Sequence, residues 1–179
     1  LFAGASHALA AQFKRRIAWA PLRPLLGGCV IAALAWSLGA ERYLGLGLPV
    51  IQQSFEQPLP AWDFAGKLAF TVASIGSGFK GGEVTPLFFI GATLGNALAP
   101  LLQLPLDLLA AVGLVAVFAG AANTPLACTL MAVELFGAAL GVPAALGCAT
   151  SYLCSGAQGI YHAQRPGAGK AVKPAPPAA

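Results

Sequence analysis

Gly76-Ser77-Gly78-Phe79-Lys80-Gly81-Gly82-Glu83-Val84-Thr85-Pro86 places one carboxylate among glycines, immediately before an apolar run from Leu87 to Leu98. Threonine caps helices and proline is best tolerated at the first helical position, so Thr85-Pro86 predicts a helix starting there. Its unpaired amides and positive dipole end would face Glu83. Those groups favour a negative partner, and the glycines let backbone approach an ion that a Cβ would block. The stretch reads as an ion site, with anion handling as the first functional expectation.

The rest of the chain supplies the medium. Hydrophobic residues make up 58% of it and charged residues 9%, with a mean hydropathy of +0.76. A soluble domain is about one quarter charged, so this composition belongs in a bilayer. Between Glu83 and Arg165 the only acidic or basic residues are Asp107 and Glu134. The net charge of +4 comes largely from Lys14, Arg15, Arg16 and Arg23 near the start and Arg165, Lys170 and Lys173 near the end. That distribution suits cytoplasmic flanks on both sides of a multi-pass segment and says nothing for nucleic acid. Cys29, Cys128, Cys148 and Cys154 lie in apolar segments without metal-type spacing and read as small core residues. His7 and His162 have no companions for a metal site, and no cofactor motif occurs.

Residues 1–13 read as the end of an apolar helix entered midway, which predicts a fragment lacking its own beginning. A basic connection over 12–24 precedes an apolar segment over 25–40. Residues 41–62 are turn-rich and read as an extramembrane or re-entrant connection carrying a short helix. Further apolar segments follow at 64–75, 86–100, 106–119, 125–136 and 142–155, and Thr124-Pro125 predicts a second capped helix start. Residues 166–179, rich in Pro, Ala, Gly and Lys, read as a disordered cytoplasmic tail, leaving 1–165 as the membrane domain. Most segments fall short of the roughly 20 residues needed to cross a hydrocarbon core upright. Short helices ended by Gly or Pro are what transporters use when broken helices point their termini at a bound ion. Gly91 with Gly95, and Gly137 with Gly141, have the spacing that permits close helix contact. The expected fold is all-α and polytopic, with short, tilted and broken helices.

Gly82-Glu83-Val84-Thr85-Pro86 resembles the loop of form G-[IF]-F-x-P in CLC chloride channels and transporters, whose backbone amides face a central anion. An acid at the second position and threonine at the fourth resemble the branch of bacterial fluoride/proton antiporters. Leu87-Phe88-Phe89-Ile90-Gly91-Ala92-Thr93-Leu94-Gly95 is similar to the helix that follows. Residues 120–127 through Glu134 resemble the A-P-L-T…E segment at the subunit interface. Gly159-Ile160-Tyr161 stands where the family has a glycine shortly before a tyrosine whose hydroxyl contacts the anion, with closer spacing here than G-x-x-x-Y. The resemblance covers the C-terminal half of a CLC subunit, the second half of its repeat pair. It implies a homodimer in a bacterial inner membrane with fluoride (or chloride) and protons as its transported partners. It also implies an anion-binding and proton-coupling set of Gly82, Glu83, Val84, Thr85 and Tyr161.

Physical chemistry gives these residues work to do. Fluoride is small and strongly hydrated, so a site must replace water with strong donors, such as backbone amides and the hydroxyls of Thr85 and Tyr161. A protonated Glu83 is a further neutral donor, and its deprotonation would expel the anion by repulsion, coupling proton to anion movement. Blander readings stand beside these. Taken without the motif, Glu83 also reads as a helix N-terminal acid and Tyr161 as an interfacial aromatic like Tyr152, while Glu134 and Asp107 read as structural acids near helix ends. Lys80 either neutralises Glu83 or reaches solvent at the vestibule. Chloride exchange, passive channel flux and a purely structural membrane subunit are the alternatives. An intramembrane hydrolase is disfavoured because no serine sits in a G-x-S-x-G turn with a histidine base.

Overall fold

A pair of glycines decides how the two longest helices meet. Helix α5 (Val84–Leu102) and helix α6 (Leu106–Ala122) form an antiparallel pair joined by a short turn. A Cβ on Gly91 would lie 2.8 Å from Leu114 Cα and overlap the Gly113 carbonyl, and one on Gly95 would overlap the Leu109 carbonyl. The backbones therefore touch, as small residues allow where helices cannot rely on water to drive them together. Gln103, with φ 54°, and Asn123, with φ 56°, end the two helices in the left-handed conformation.

A computed structural model describes residues 2–17, 19, 21–79, 81–156 and 159–160. Before this pair come α1 (Phe2–Arg16), α2 (Leu22–Ser37), a 3₁₀ turn at Glu41–Tyr43, α3 (Leu48–Glu56) and α4 (Asp63–Gly76). After it come α7 (Pro125–Phe136), a 3₁₀ turn at Ala138–Leu140 and α8 (Gly141–Cys154). No strand occurs among the described residues. The core between α5, α6, α7 and α8 is built mostly of small side chains, with Ala92, Ala111, Ala119, Cys128, Ala132, Ala144 and Cys148 all buried around Leu114 and Val115. Helix α3 packs on α5 and α6, so the turn-rich connection is folded into the bundle. Among the described helices only α5 is both long and apolar enough to cross a membrane, and α2, α6, α7 and α8 are shorter apolar helices.

Several boundaries differ from the sequence expectation. Helix α1 continues through Arg16, so the basic connection is shorter than 12–24, and α2 starts at Leu22 rather than 25 and ends at Ser37 rather than 40. Arginine and lysine are good helix formers, and nothing in Gln12 to Arg16 stops the helix. Helix α7 begins at Pro125 with Thr124 at the N-cap position, as expected, although the threonine side chain makes no capping bond. Cys128 and Cys148 are core residues, whereas Cys29 and Cys154 are exposed. The Gly91 and Gly95 spacing forms a helix contact. A Cβ on Gly137 would meet nothing within 4 Å, because that glycine, with φ 92°, breaks the chain between α7 and the 3₁₀ turn. The proposed tail over 166–179 lies outside the described residues.

Candidate anion site

The turn that delivers Glu83 is held from two sides. Ser77 caps α4 from a buried position, its hydroxyl donating to the Ala73 carbonyl at 2.5 Å. Gly27 of α2 leaves room for that serine, Gly28 takes the Phe79 ring, and Leu9 of α1 lies over Gly76. Gly78 turns the chain with φ 99°, a conformation that glycine adopts without strain. Beyond it Gly81 and Gly82 are exposed, and a Cβ on either would meet nothing within 4 Å. Open space therefore lies beside the backbone ahead of α5.

The helix starts earlier than Thr85-Pro86 predicts. Glu83 is the N-cap residue and Val84 the first helical residue. The first helical bond runs from the Leu87 amide to the Glu83 carbonyl at 3.2 Å. Pro86 sits at the third helical position, where its missing N–H costs nothing because first-turn amides have no helical partner. The amides of Val84 and Thr85 consequently have no partner among the described residues. Glu83 does not cap the helix with its side chain, and neither its carboxylate nor the Thr85 hydroxyl bonds another described residue. Glu83, Val84 and Thr85 are each half-buried. The arrangement is the amide end of a helix with a hydroxyl and a carboxylate that have no partner among the described residues, and such an amide end favours a negative partner.

Of the other residues singled out, Tyr161, Lys80 and His162 lie outside the described residues. The chain just before Tyr161 is held close to α5. The Ile160 amide donates to the Ala121 carbonyl at 2.9 Å, and Ile160 is buried in one cluster with Leu87 and Ala122. Leu87 belongs to the second turn of α5. Asp107 lies in the first turn of α6, as a helix-start acid should, and Glu134 is exposed on α7.

Elsewhere on α4 and α5 lies a polar framework that the local sequence pattern did not reveal. Asp63, at the start of α4, is fully buried, accepts the Tyr43 hydroxyl at 2.8 Å and pairs with Arg42 at 2.7 Å. Its Oδ2 meets the guanidinium as an ion pair without hydrogen-bond alignment. Burial, and then the bond to Asp63, pushes the pKa of the Tyr43 hydroxyl up, so that it stays a donor. Lys67 is buried and donates to the carbonyls of Gly45 at 2.6 Å and Tyr43 at 2.9 Å, with its ammonium 5.1 Å from the centre of the Phe89 ring. Asn96, buried in α5, donates to the Ser54 and Gln57 carbonyls at 2.8 and 2.9 Å and accepts the Leu59 amide at 2.9 Å. It closes the C-terminal end of α3, where helical carbonyls lack partners. A lysine and an asparagine inside apolar helices were the available signal, since such residues are costly there and rarely idle.

Known proteins share this sequence and this architecture. The family model for the voltage gated chloride channel matches residues 1–156. A "Chloride/fluoride channel protein" of Pseudomonas syringae pv. tomato is 59% identical over 182 residues, covering 98% of this chain and 40% of the relative. A "Putative chloride channel protein ClcB-like" of Ralstonia nicotianae is 33% identical over 157 residues, covering 78% of this chain and 36% of the relative. Among solved structures, the crystal structure of a CLC-type fluoride/proton antiporter superposes with a TM-score of 0.87 at 39% identity, covering 92% of this chain and 42% of that one. The chain thus spans about two fifths of the length of these proteins.

Proposed function

This chain belongs to the voltage-gated chloride channel family and has the polytopic membrane fold of that family, and from that premise we propose that it carries the anion-binding and proton-coupling end of a transporter that exports fluoride in exchange for protons. The observation that carries the reading is the amide end of α5, where the Glu83 carboxylate and the Thr85 hydroxyl have no partner among the described residues and lie next to the exposed Gly81 and Gly82. Gly82 gives access to the backbone, the Val84 and Thr85 amides and the Thr85 hydroxyl donate to the anion, and Glu83 carries the proton. Tyr161 supplies a further hydroxyl. When Glu83 is protonated it is a neutral donor to fluoride, and when it ionises it repels the anion, so one carboxylate links the two movements. Fluoride suits this donor set because strong, compact donors are what its lost hydration requires. The two comparisons that name fluoride, in a channel protein and in an antiporter, support the same reading.

The complete transporter would be a homodimer in the bacterial inner membrane with both flanks of this chain on the cytoplasmic side. Support for a second copy comes from α7 and α8, which leave Leu126, Leu130, Val142, Leu146 and Leu153 exposed. A surface this apolar faces lipid or another subunit. The work proposed for Glu83 and Thr85 is transport and needs no catalytic group or cofactor.

The test is release of fluoride and of chloride from proteoliposomes holding the complete gene product, with a pH readout. The expected result is fluoride-selective release with proton uptake, lost in Glu83→Gln. Chloride release equal to fluoride and indifferent to that substitution would instead indicate a chloride exchanger or a passive channel, with Glu83 a structural acid.

A further inference from the structure

Lys67 is a buried cation that the coupling scheme above leaves unused. The residue is 1% exposed, and its ammonium touches two backbone carbonyls and the face of Phe89. Among the described residues no carboxylate lies within ion-pair distance of it, and the ion pair on this side of the bundle joins Arg42 to Asp63. Those two charges offset one another. The cluster of Arg42, Asp63 and protonated Lys67 therefore keeps a net charge of about +1, located at Lys67.

The position of that charge follows from helix geometry. Phe89 and Thr85 are four residues apart in α5 and share one face, and side chains lean toward the helix N-terminus. Phe89 is fully buried between Lys67 and the body of the bundle. One turn rises by about 5.4 Å and the ammonium is 5.1 Å from the Phe89 ring centre, so the charge lies on the order of 10 Å from the amide end of α5. The near part of that path is buried, since Phe89 and Lys67 are both enclosed by the bundle. Screening by solvent and salt is weak along such a path.

We propose that Lys67 is an electrostatic determinant of anion affinity: a fixed positive charge beneath Phe89 that favours an anion at the amide end of α5 without touching it. The inference rests on the anion-site reading of Glu83 and Thr85. It assigns to Tyr43 and Gly45 the task of holding the charge in place by their carbonyls, and to Gly47 that of leaving room, since a Cβ there would come within 2.5 Å of the Phe89 ring.

Half-saturating fluoride and maximal flux are to be measured in proteoliposomes for the complete gene product, with folding monitored by size-exclusion chromatography. Replacing Lys67 by Gln keeps donors for the two carbonyls and by Met keeps the packing, and both remove the charge. Each is expected to raise half-saturating fluoride about tenfold with little change in maximal flux, the size of effect that a unit charge has at this distance in a protein. Lys67→Arg is expected to stay near wild type. A merely structural lysine predicts the reverse grouping, with Gln like wild type and the bulkier Arg impaired. If neither neutral variant folds, Arg42→Gln reads the same charge, because it leaves every Lys67 contact intact while Asp63 is left to offset Lys67. It should weaken fluoride several-fold. Wild-type affinity in the folded neutral variants, or in Arg42→Gln when they do not fold, overturns the inference and leaves the fluoride reading standing. A wild-type protein that carries no fluoride overturns that reading and this inference together.

Discussion

One helix, α5, presents two kinds of polar surface. At its amide end a carboxylate, a hydroxyl and two backbone amides have no partner among the described residues. On the side it turns to α3 and α4, Asn96 satisfies three backbone groups at once and Lys67 fills the carbonyls of Tyr43 and Gly45. In the water-poor interior of a membrane protein an unmatched polar group costs free energy, so the matched side is framework. Leaving the other side unmatched is tolerable only where an ion, a proton or water supplies what the protein withholds. The contrast separates the residues that hold the site from those that use it.

Breaking the framework should therefore cost folding, and altering the site should cost transport alone. The largest effect is expected at the α5 and α6 contact. Gly95→Leu drives a side chain into the Leu109 carbonyl, and a destabilisation of more than about 4 kcal/mol is expected, seen as loss of folded protein on size-exclusion chromatography. Folded Gly95→Leu protein with a normal unfolding midpoint would mean that the two backbones do not meet there. Asn96→Leu comes next. It strands the Leu59 amide and the Ser54 and Gln57 carbonyls, a loss of about 3 kcal/mol that detergent unfolding curves would show. A loss below about 1 kcal/mol would show those groups to be hydrated instead, and would blur the contrast. Smallest is Gly82→Ala, whose added methyl meets open space. Stability should stay within about 0.5 kcal/mol of wild type, while half-saturating fluoride rises because the backbone becomes harder to approach.

The residues of the proposed site stand out more in the sequence than those around them. Glu83, Thr85 and Pro86 stood out because an acid, a capping residue and a proline among glycines form a local pattern, and the helix they predicted is present. The helix starts two residues before Pro86 because Thr85 and Pro86 also fit its second and third positions: at the third, proline lacks an amide that would be unpaired in any case. Asp63 and Asn96 escaped notice for a different reason. Their partners lie 20 to 42 residues away in the chain, and no local periodicity records a contact at such a separation. Lys67 was visible only as an interruption of an apolar segment. The exposure of Cys29 and Cys154 was equally hidden, since an apolar helix has an outer face as well as an inner one. In α7 the match was closest, because Thr124-Pro125 and Gly137 mark both ends of the helix unambiguously.

The most direct test of the contrast joins both readouts in a single variant of the complete gene product. Glu83→Gln is to be compared with wild type for its unfolding midpoint in detergent and for proton-coupled fluoride flux in proteoliposomes. An unchanged midpoint with proton coupling lost is the predicted result, since the carboxylate bonds no described residue. A lowered midpoint, or fluoride flux still coupled to protons, would place Glu83 in the framework and contradict the account.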